Sequence, residues 1–272
     1  MTTKEQRDFW SGPVGETWAR LSAALAMHHA AVTDEMLRRA DVTPGDRVLE
    51  VGAGDGTLSA RLAARGARIL AVDLSPPLAA LHRARGTPGV RVAELDAESH
   101  AFEAGRADLV VSQFGVMFFA DSRAAFANLH RAAAPGGRLL FAAWAGPEHN
   151  PWFDVPARIA AGMFGPGPSD PDGPGPMRFR DGAAVVAMLA QAGWRAARSE
   201  PVDLHLTPPG GREGAADLAT RLGGASAALR RGGHGEVERL RLRDRLHDWL
   251  GAYTAGGAVR VPARVNIVTA RA

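Results

Sequence analysis

The run Arg47-Val48-Leu49-Glu50-Val51-Gly52-Ala53-Gly54-Asp55-Gly56-Thr57 constrains the fold more than any other stretch of the chain. An apolar strand ends on an acid, glycines follow at alternating positions, and a helix-competent stretch, residues 58–65, begins at once. Glycines at a strand-to-helix turn let the backbone bend sharply and let a bound molecule come closer than any Cβ would permit. The helix that follows aims unpaired N–H groups at the same place. The run therefore predicts a nucleotide-like cofactor at the carboxyl end of the first strand of an α/β sheet.

The spacing separates two cofactor classes. A dinucleotide turn reads G-x-G-x-x-G, with its third glycine packing helix against strand. Here the glycines stand at 52, 54 and 56, Thr57 falls where the third would be, and Glu50 precedes them. A nicotinamide-dependent oxidoreductase is therefore disfavoured. Further strands follow in order. Residues 68–73 end in Asp73, followed by Leu74; residues 90–95 end before Asp96-Ala97; residues 107–113 end in Gln113 and lead into Phe114-Gly115-Val116-Met117-Phe118-Phe119. A helix over residues 122–134 places Ala125, Phe126, Leu129 and Ala133 on one buried face, and a strand over 138–144 follows Pro135-Gly136-Gly137.

The Glu50-to-Gly56 pattern, the acids Asp73 and Asp96, and the turn Arg131-Ala132-Ala133-Ala134-Pro135-Gly136-Gly137-Arg138-Leu139 together resemble the class I S-adenosylmethionine (SAM) methyltransferases. The likeness is closest to small-molecule enzymes of the ubiquinone/menaquinone-biosynthesis type and covers residues 45–145. Ala133 stands where the family's turn has leucine. The resemblance implies a doubly wound, Rossmann-like α/β fold: a seven-stranded sheet with its last strand antiparallel and a helical cap built from insertions. It implies SAM as cofactor, S-adenosylhomocysteine (SAH) as product and no metal. Of the cofactor residues, Glu50, Gly52, Ala53 and Gly54 would form the turn. Asp73 with Leu74 would hold the ribose, Asp96 with Ala97 would read the adenine, and Gln113 would lie between cofactor and acceptor. Phe9-Trp10-Ser11-Gly12-Pro13-Val14-Gly15-Glu16-Thr17-Trp18 resembles a leading segment that covers the methionine end, which places Trp18 there. Phe114, Met117, Phe118 and Trp152 are the expected acceptor pocket.

Boundaries follow composition. Residues 1–44 read as an N-terminal helical lid segment. Residues 45–272 read as the SAM-binding domain, with cap insertions at about 146–180 and 208–257, and the proline- and glycine-dense loop 165–176 as a mobile lid. Helical patterns cover residues 155–163, 182–192, 215–230 and 236–251, and strand patterns cover 195–206 and 259–270, the last broken by Pro262.

Methyl transfer from a sulfonium is an in-line displacement served mainly by alignment, so it needs at most one base. His149, His28 and Gln113 are the leading candidates for a catalytic role, with His29 and His205 also considered. Several classes are excluded. The chain has no cysteine, hence no thiolate metal site, disulfide or cysteine nucleophile. Its net charge is only +3 and no basic block tracks a phosphate backbone. No apolar run approaches membrane-spanning length, and the first thirty residues lack the apolar core of a signal peptide. The expected setting is cytoplasmic. The expected partners are a small, partly hydrophobic acceptor methylated at O, N or C, as in bacterial secondary metabolism, and at most a second copy in a homodimer. No nucleic acid and no membrane are expected. The alternative is a SAM-binding protein that uses the scaffold without methylating, as a cyclase or a regulator.

Overall fold

The protein was analysed as a computed structural model that describes residues 2–168 and 170–272. Four helices lead: α1 (Thr3–Ser11), α2 (Pro13–Arg20), α3 (Ser22–His28) and α4 (Ala30–Ala40). Strands and helices then alternate through β1 (Arg47–Val51), α5 (Thr57–Ala63), β2 (Arg68–Asp73), α6 (Pro76–Ala84), β3 (Val90–Glu94), β4 (Ala107–Gln113), α7 (Ser122–Ala132) and β5 (Ala133–Trp144). The second half holds α8 (Pro151–Phe164), α9 (Gly182–Gln191), β6 (Arg195–Leu206), α10 (Gly211–Arg221), α11 (Gly223–Arg231) and α12 (Glu236–Leu250). A two-residue ribbon, β7 (Thr254–Ala255) with β8 (Ala258–Val259), precedes β9 (Val261–Arg271).

Seven strands form one sheet in the order β3-β2-β1-β4-β5-β9-β6, with β9 antiparallel to both neighbours and the other pairings parallel. The apolar runs at β1, β2 and β4 are covered on both faces, as parallel strands require. Phe126 and Leu129 of α7 and Leu139, Leu140 and Phe141 of β5 are almost wholly sequestered. Each such side chain contributes about 1.5–3 kcal/mol of burial free energy. The strand order reverses between β1 and β4. Their carboxyl ends therefore diverge into a crevice, the usual ligand position in open α/β sheets.

Three prolines lie within strands: Pro135 falls in the irregular start of β5, and the other two leave the ladder unbroken, each for a positional reason. Pro201 lies in β6, the edge strand, whose outer side has no partner. Pro262 lies where β9 has run past β5: the β5 register starts at Trp144 opposite Val265, so residues 261–263 pair with β6 alone. The pattern over 259–270 is thus one strand from Val261 onward, unbroken at Pro262. The helical pattern over 215–230 is two helices, because Leu222 is extended (φ −121°, ψ 158°) and Gly223 has φ +55°. The lid loop 165–176 includes Ser169, which lies outside the described residues. Among the described residues, no helix is long and apolar enough to cross a membrane.

The N-terminal helices are fastened to the sheet by a close contact. Ser75 Oγ, at the start of α6, donates to the Trp10 carbonyl at 2.9 Å. A Cβ on Gly15 would stand 1.9 Å from that same carbonyl oxygen, so only glycine lets α2 settle there. On the other side, Asn150 is fully buried. Its amide donates to the carbonyls of Ala145, Gly146 and Arg264 at 3.0–3.1 Å, and its oxygen accepts from the Arg264 N–H at 3.1 Å. This one side chain ties the end of β5 and the start of α8 to β9. Asn150→Ala would strand several buried carbonyls, each costing about 1–3 kcal/mol when unpaired. Urea unfolding should show a loss on the order of 3 kcal/mol, with Asn150→Asp at least as damaging because a carboxylate cannot donate to those carbonyls.

Candidate functional site

A cavity of about 490 Å³ occupies the crevice at the carboxyl ends of the central strands, in the range of ordinary small-molecule sites. Its floor is the glycine turn. Gly52, Gly54 and Gly56 have φ of +65°, +57° and +83°, a region that L side chains enter only with strain. The reasons for glycine differ along the turn. A Cβ on Gly52 would lie 2.6 Å from the Cα of Gly115, and one on Gly56 would lie 2.2 Å from the His82 ring. A Cβ on Gly54 would meet no protein atom within 4 Å. Gly54 lines the cavity, so the protein leaves room for something else to approach it.

Carboxylates gather around this turn. Asp73 is only 8% exposed, and its oxygens accept from the Gly54 N–H at 2.7 Å and the Ser75 N–H at 2.8 Å. Burial pushes its pKa up, while these backbone donors oppose the rise. Glu50 accepts from Ser59 Oγ, and burial, aided by the charges of Asp55 and Asp73, pushes its pKa up to about 8. It therefore holds its proton near neutrality. Asp55 pairs with Arg85 and caps the start of α5 through Thr57. Asp96 accepts from the Glu98 N–H at 2.9 Å and Ser99 Oγ at 2.7 Å. Such a set suits a cationic or hydroxyl-bearing ligand, whereas a pyrophosphate would meet three carboxyl groups beside the turn.

The walls are aromatic. Trp10 stands edge-on to Trp18 at 5.6 Å and to Phe118 at 5.1 Å. Phe114, itself at φ +67°, stacks on Trp144 at 4.1 Å, and Phe153 meets Trp144 at 4.8 Å.

The structure brings most of the residues anticipated from sequence to this one cavity. Glu50, Gly52, Ala53, Gly54, Asp73 and Leu74 line it at the turn, and Trp18, Asp96, Ala97 and Gln113 line it around that floor. Phe114, Met117, Phe118 and Trp152 line it too, although Met117 shows only 1% of its surface and Trp152 4%. Two base candidates are not there. His149, expected at the cavity mouth, faces a separate outer recess with Glu148, Asp203 and His205. Its Nε2 lies 3.3 Å from Arg264 Nη1, because the turn at Pro147–His149 carries it outward while Asn150 points in. His28 is sealed beneath the cavity wall at 1% exposure, its ring 4.4 Å from that of Trp152, and burial holds it neutral. His29 does line the cavity, 5.4 Å ring to ring from Phe114, and burial pulls its pKa down to about 4. Gln113 is held by Thr33, whose Oγ1 donates to Gln113 Oε1 at 3.0 Å.

Sequence reasoning missed Thr33, Trp144 and Phe153, and also Arg221, Ser226 and Arg230 from α10 and α11. Trp144 carried a readable signal, as the last residue of a buried strand beside the glycine turn's neighbour. The others come from remote elements and have none. Among the described residues, no group of three or more His, Asp or Glu could hold a metal.

A methyltransferase-domain family model matches residues 49–141. A demethylmenaquinone methyltransferase of Beutenbergia cavernae is 30% identical over 182 residues, covering 60% of this chain and 73% of that protein. An uncharacterized protein of Mycobacterium tuberculosis is 35% identical over 112 residues, covering 40% of this chain. The match spans only 41% of the length of that mycobacterial relative. Among solved structures, phosphoethanolamine N-methyltransferase 2 of Haemonchus contortus, in complex with SAM, superimposes with a TM-score of 0.59 at 15% identity. That superposition covers 98% of this chain and 59% of the other, a likeness of fold.

Glu50 makes the empty site sensitive to pH. Its pKa is raised from 4.5 to about 8 on folding, so the folded state keeps a proton that the unfolded chain releases. Stability from this group is full below pH 4.5 and declines as pH rises toward 8. Glu50→Gln keeps an acceptor for Ser59 without the charge. Urea unfolding should show the variant gaining on the wild type steadily between pH 5 and 8, by an amount on the order of a few kcal/mol at the top of that range.

Proposed function

The chain belongs to the class I SAM-dependent methyltransferases, and on that premise we propose that it methylates an O, N or C nucleophile of a small, partly hydrophobic metabolite. The observation that carries the reading is the turn at Gly54. Its N–H is fixed by Asp73, its missing Cβ opens into the cavity, and three carboxyl groups stand around it. When bound, SAM supplies a methyl group on a sulfonium that leaves as a neutral thioether.

The chain's own residues would do the rest. Asp73 accepts from the N–H groups of Gly54, Ser75 and Leu74 and keeps acceptor capacity on the carboxylate that would take a ribose hydroxyl. Asp96, with the Ala97 N–H, would meet the adenine edge, and Leu74 would pack beside the sugar. Glu50 gives up its proton when a cationic group arrives nearby, so the ligand's charge is compensated at the moment of binding. Trp10, Trp18 and Phe118 line the cavity together, where a ring face would favour a cation and the cluster would exclude water. Phe114, Met117, Phe118 and Trp152 would shape the acceptor's place, with Gln113 held by Thr33 between the two halves. His29, neutral at physiological pH, can accept a hydrogen bond from an acceptor O–H or N–H. The N-terminal helices and the segments 146–180 and 208–257 act as the cap. That a relative is named a demethylmenaquinone methyltransferase supports a small-molecule acceptor.

Calorimetric titration with SAM and SAH tests the reading: both should bind saturably. Asp73→Asn, which removes the charge but keeps the shape, should weaken SAM binding by about 1.5–3 kcal/mol, the worth of hydrogen bonds to a charged group. Gly54→Ala should cost the fold only about 1–2 kcal/mol for its left-handed backbone, yet lower SAM affinity further than Asp73→Asn. If neither ligand bound to the folded wild type, the assignment would fail. SAH formed in step with acceptor loss separates methyl transfer from a cyclase or regulatory role.

A further inference from the structure

The charges lining the cavity are divided by position. Glu50, Asp55, Asp73, Asp96 and Glu98 all stand on the sheet side, while both lining arginines, Arg221 and Arg230, come from α10 and α11. Arg221 is occupied, donating to Asp217 Oδ2 at 2.8 Å and Oδ1 at 3.3 Å. Arg230 is not. Among the described residues no carboxylate lies within ion-pair distance of it, and its guanidinium donates to Ser226 Oγ, one turn earlier, at 2.5 Å.

The placement follows from helix periodicity. Ser226 and Arg230 are spaced by four along α11, with Gly223 and Ala227 on the same helix and Leu222 at its N-cap, and all five line the cavity. The Ser226 bond fixes the guanidinium while using one of its five donors. Arg230 is exposed at the cavity, and the desolvation of its covered part draws its pKa down. Elsewhere the cavity wall is apolar and aromatic, with Phe114, Trp144, Trp152 and Phe153. Exposed and without a counter-ion among the described residues, Arg230 keeps its remaining donors open to a ligand anion at the cavity.

We propose that Arg230 anchors an anionic group of the acceptor, so that the acceptor is an amphipathic acid, a carboxylate or a phosphate monoester, with an apolar body lying against Phe114 and Trp144. The inference rests on the methyl-transfer reading and narrows its substrate class. The division of charge would also orient the acceptor: its anion is repelled by the acids at the glycine turn and held by Arg230, which turns its opposite end toward the cofactor. A planar guanidinium fork matches both anions by paired hydrogen bonds.

The test uses SAH-saturated protein and a library of aromatic and aliphatic carboxylic acids and phosphate monoesters. Each member is paired with its neutral amide or alcohol. Binding is read by saturation-transfer NMR and then by calorimetry. Anionic members should bind in preference to their neutral partners, with the bound set telling carboxylate from phosphate. Arg230→Gln should weaken them by about tenfold or more, as expected for a charge-assisted hydrogen-bonded pair. Arg230→Lys should keep part of the affinity, and SAH should bind both variants as it binds the wild type. The proposal is overturned if neutral members bind as well as their anions, if Arg230→Gln changes nothing, or if SAH binds and no acid does. SAH failing to bind the folded wild type would instead bring down the methyl-transfer reading itself, and this inference with it.

Discussion

The structure depends on a backbone crossing. Where β1 and β4 end, Gly52 and Gly115 pass so closely that a Cβ on either would stand 2.6–2.8 Å from the other's Cα. Gly52 then turns out through a left-handed conformation into the cofactor turn, while Gly115 opens the segment carrying Met117 and Phe118. Ser112, buried at the end of β4, accepts from the N–H groups of Gly115 and Val116 through its Oγ and pins the second turn. Phe114 is held between these fixed points. Its left-handed φ is strained for an aromatic residue, and it persists because its N–H donates to the Ala142 carbonyl and its ring stacks on Trp144. One contact thus sets both the floor and the inner wall of the cavity.

The carboxylates at the turn are each stabilised differently. Asp73 is a clamp: it gives the glycine turn its shape through backbone N–H groups, which keeps a buried charge tolerable. Asp55 is neutralised by Arg85 and serves the helix start. Glu50 has neither device, only a hydroxyl donor, and so remains protonated. The turn therefore carries less negative charge than its sequence suggests, and under the proposed reading a cationic ligand would restore that charge by displacing the Glu50 proton. In that reading binding and folding would pull this group in opposite directions, as perturbed groups at ligand sites do.

Much of the sheet was legible from sequence because parallel strands buried on both faces leave unbroken apolar runs, and because the glycine turn needs its residue types within a few positions. Glu50, Asp73 and Asp96 are strand-end acids, readable from local order. What sequence could not yield depends on long-range placement. The helical pattern across 215–230 continues in period through Leu222, so the break there is visible only in backbone angles. His149 follows the fifth strand closely in sequence, yet the turn before Asn150 sends it to the other side of the wall. Pro262 reads locally as a strand breaker, and only the stagger between β5 and β9 shows why it is tolerated.

The two halves of the cavity are built under different constraints. The floor comes from consecutive strand ends between β1 and β4, where the backbone contact of Gly52 with Gly115 and the contact of Gly56 with the His82 ring allow little change of residue. The rest of the wall comes from α1 to α4, the end of β5, α8, α10 and α11, elements joined to the sheet largely by side chains. Side-chain walls admit volume-conserving exchange at modest cost, whereas a Cβ forced against backbone does not. Asn150 and the contact of Gly15 with the Trp10 carbonyl fasten these cap elements from outside the cavity, so the residues facing inward are released from holding the fold. Under the proposed reading, acceptor choice would vary at Trp144, Phe153 and Arg230 while the turn at Gly52 stays fixed. On that physical ground, specificity is to be sought in the helical cap and the inner aromatic wall rather than in the glycine turn.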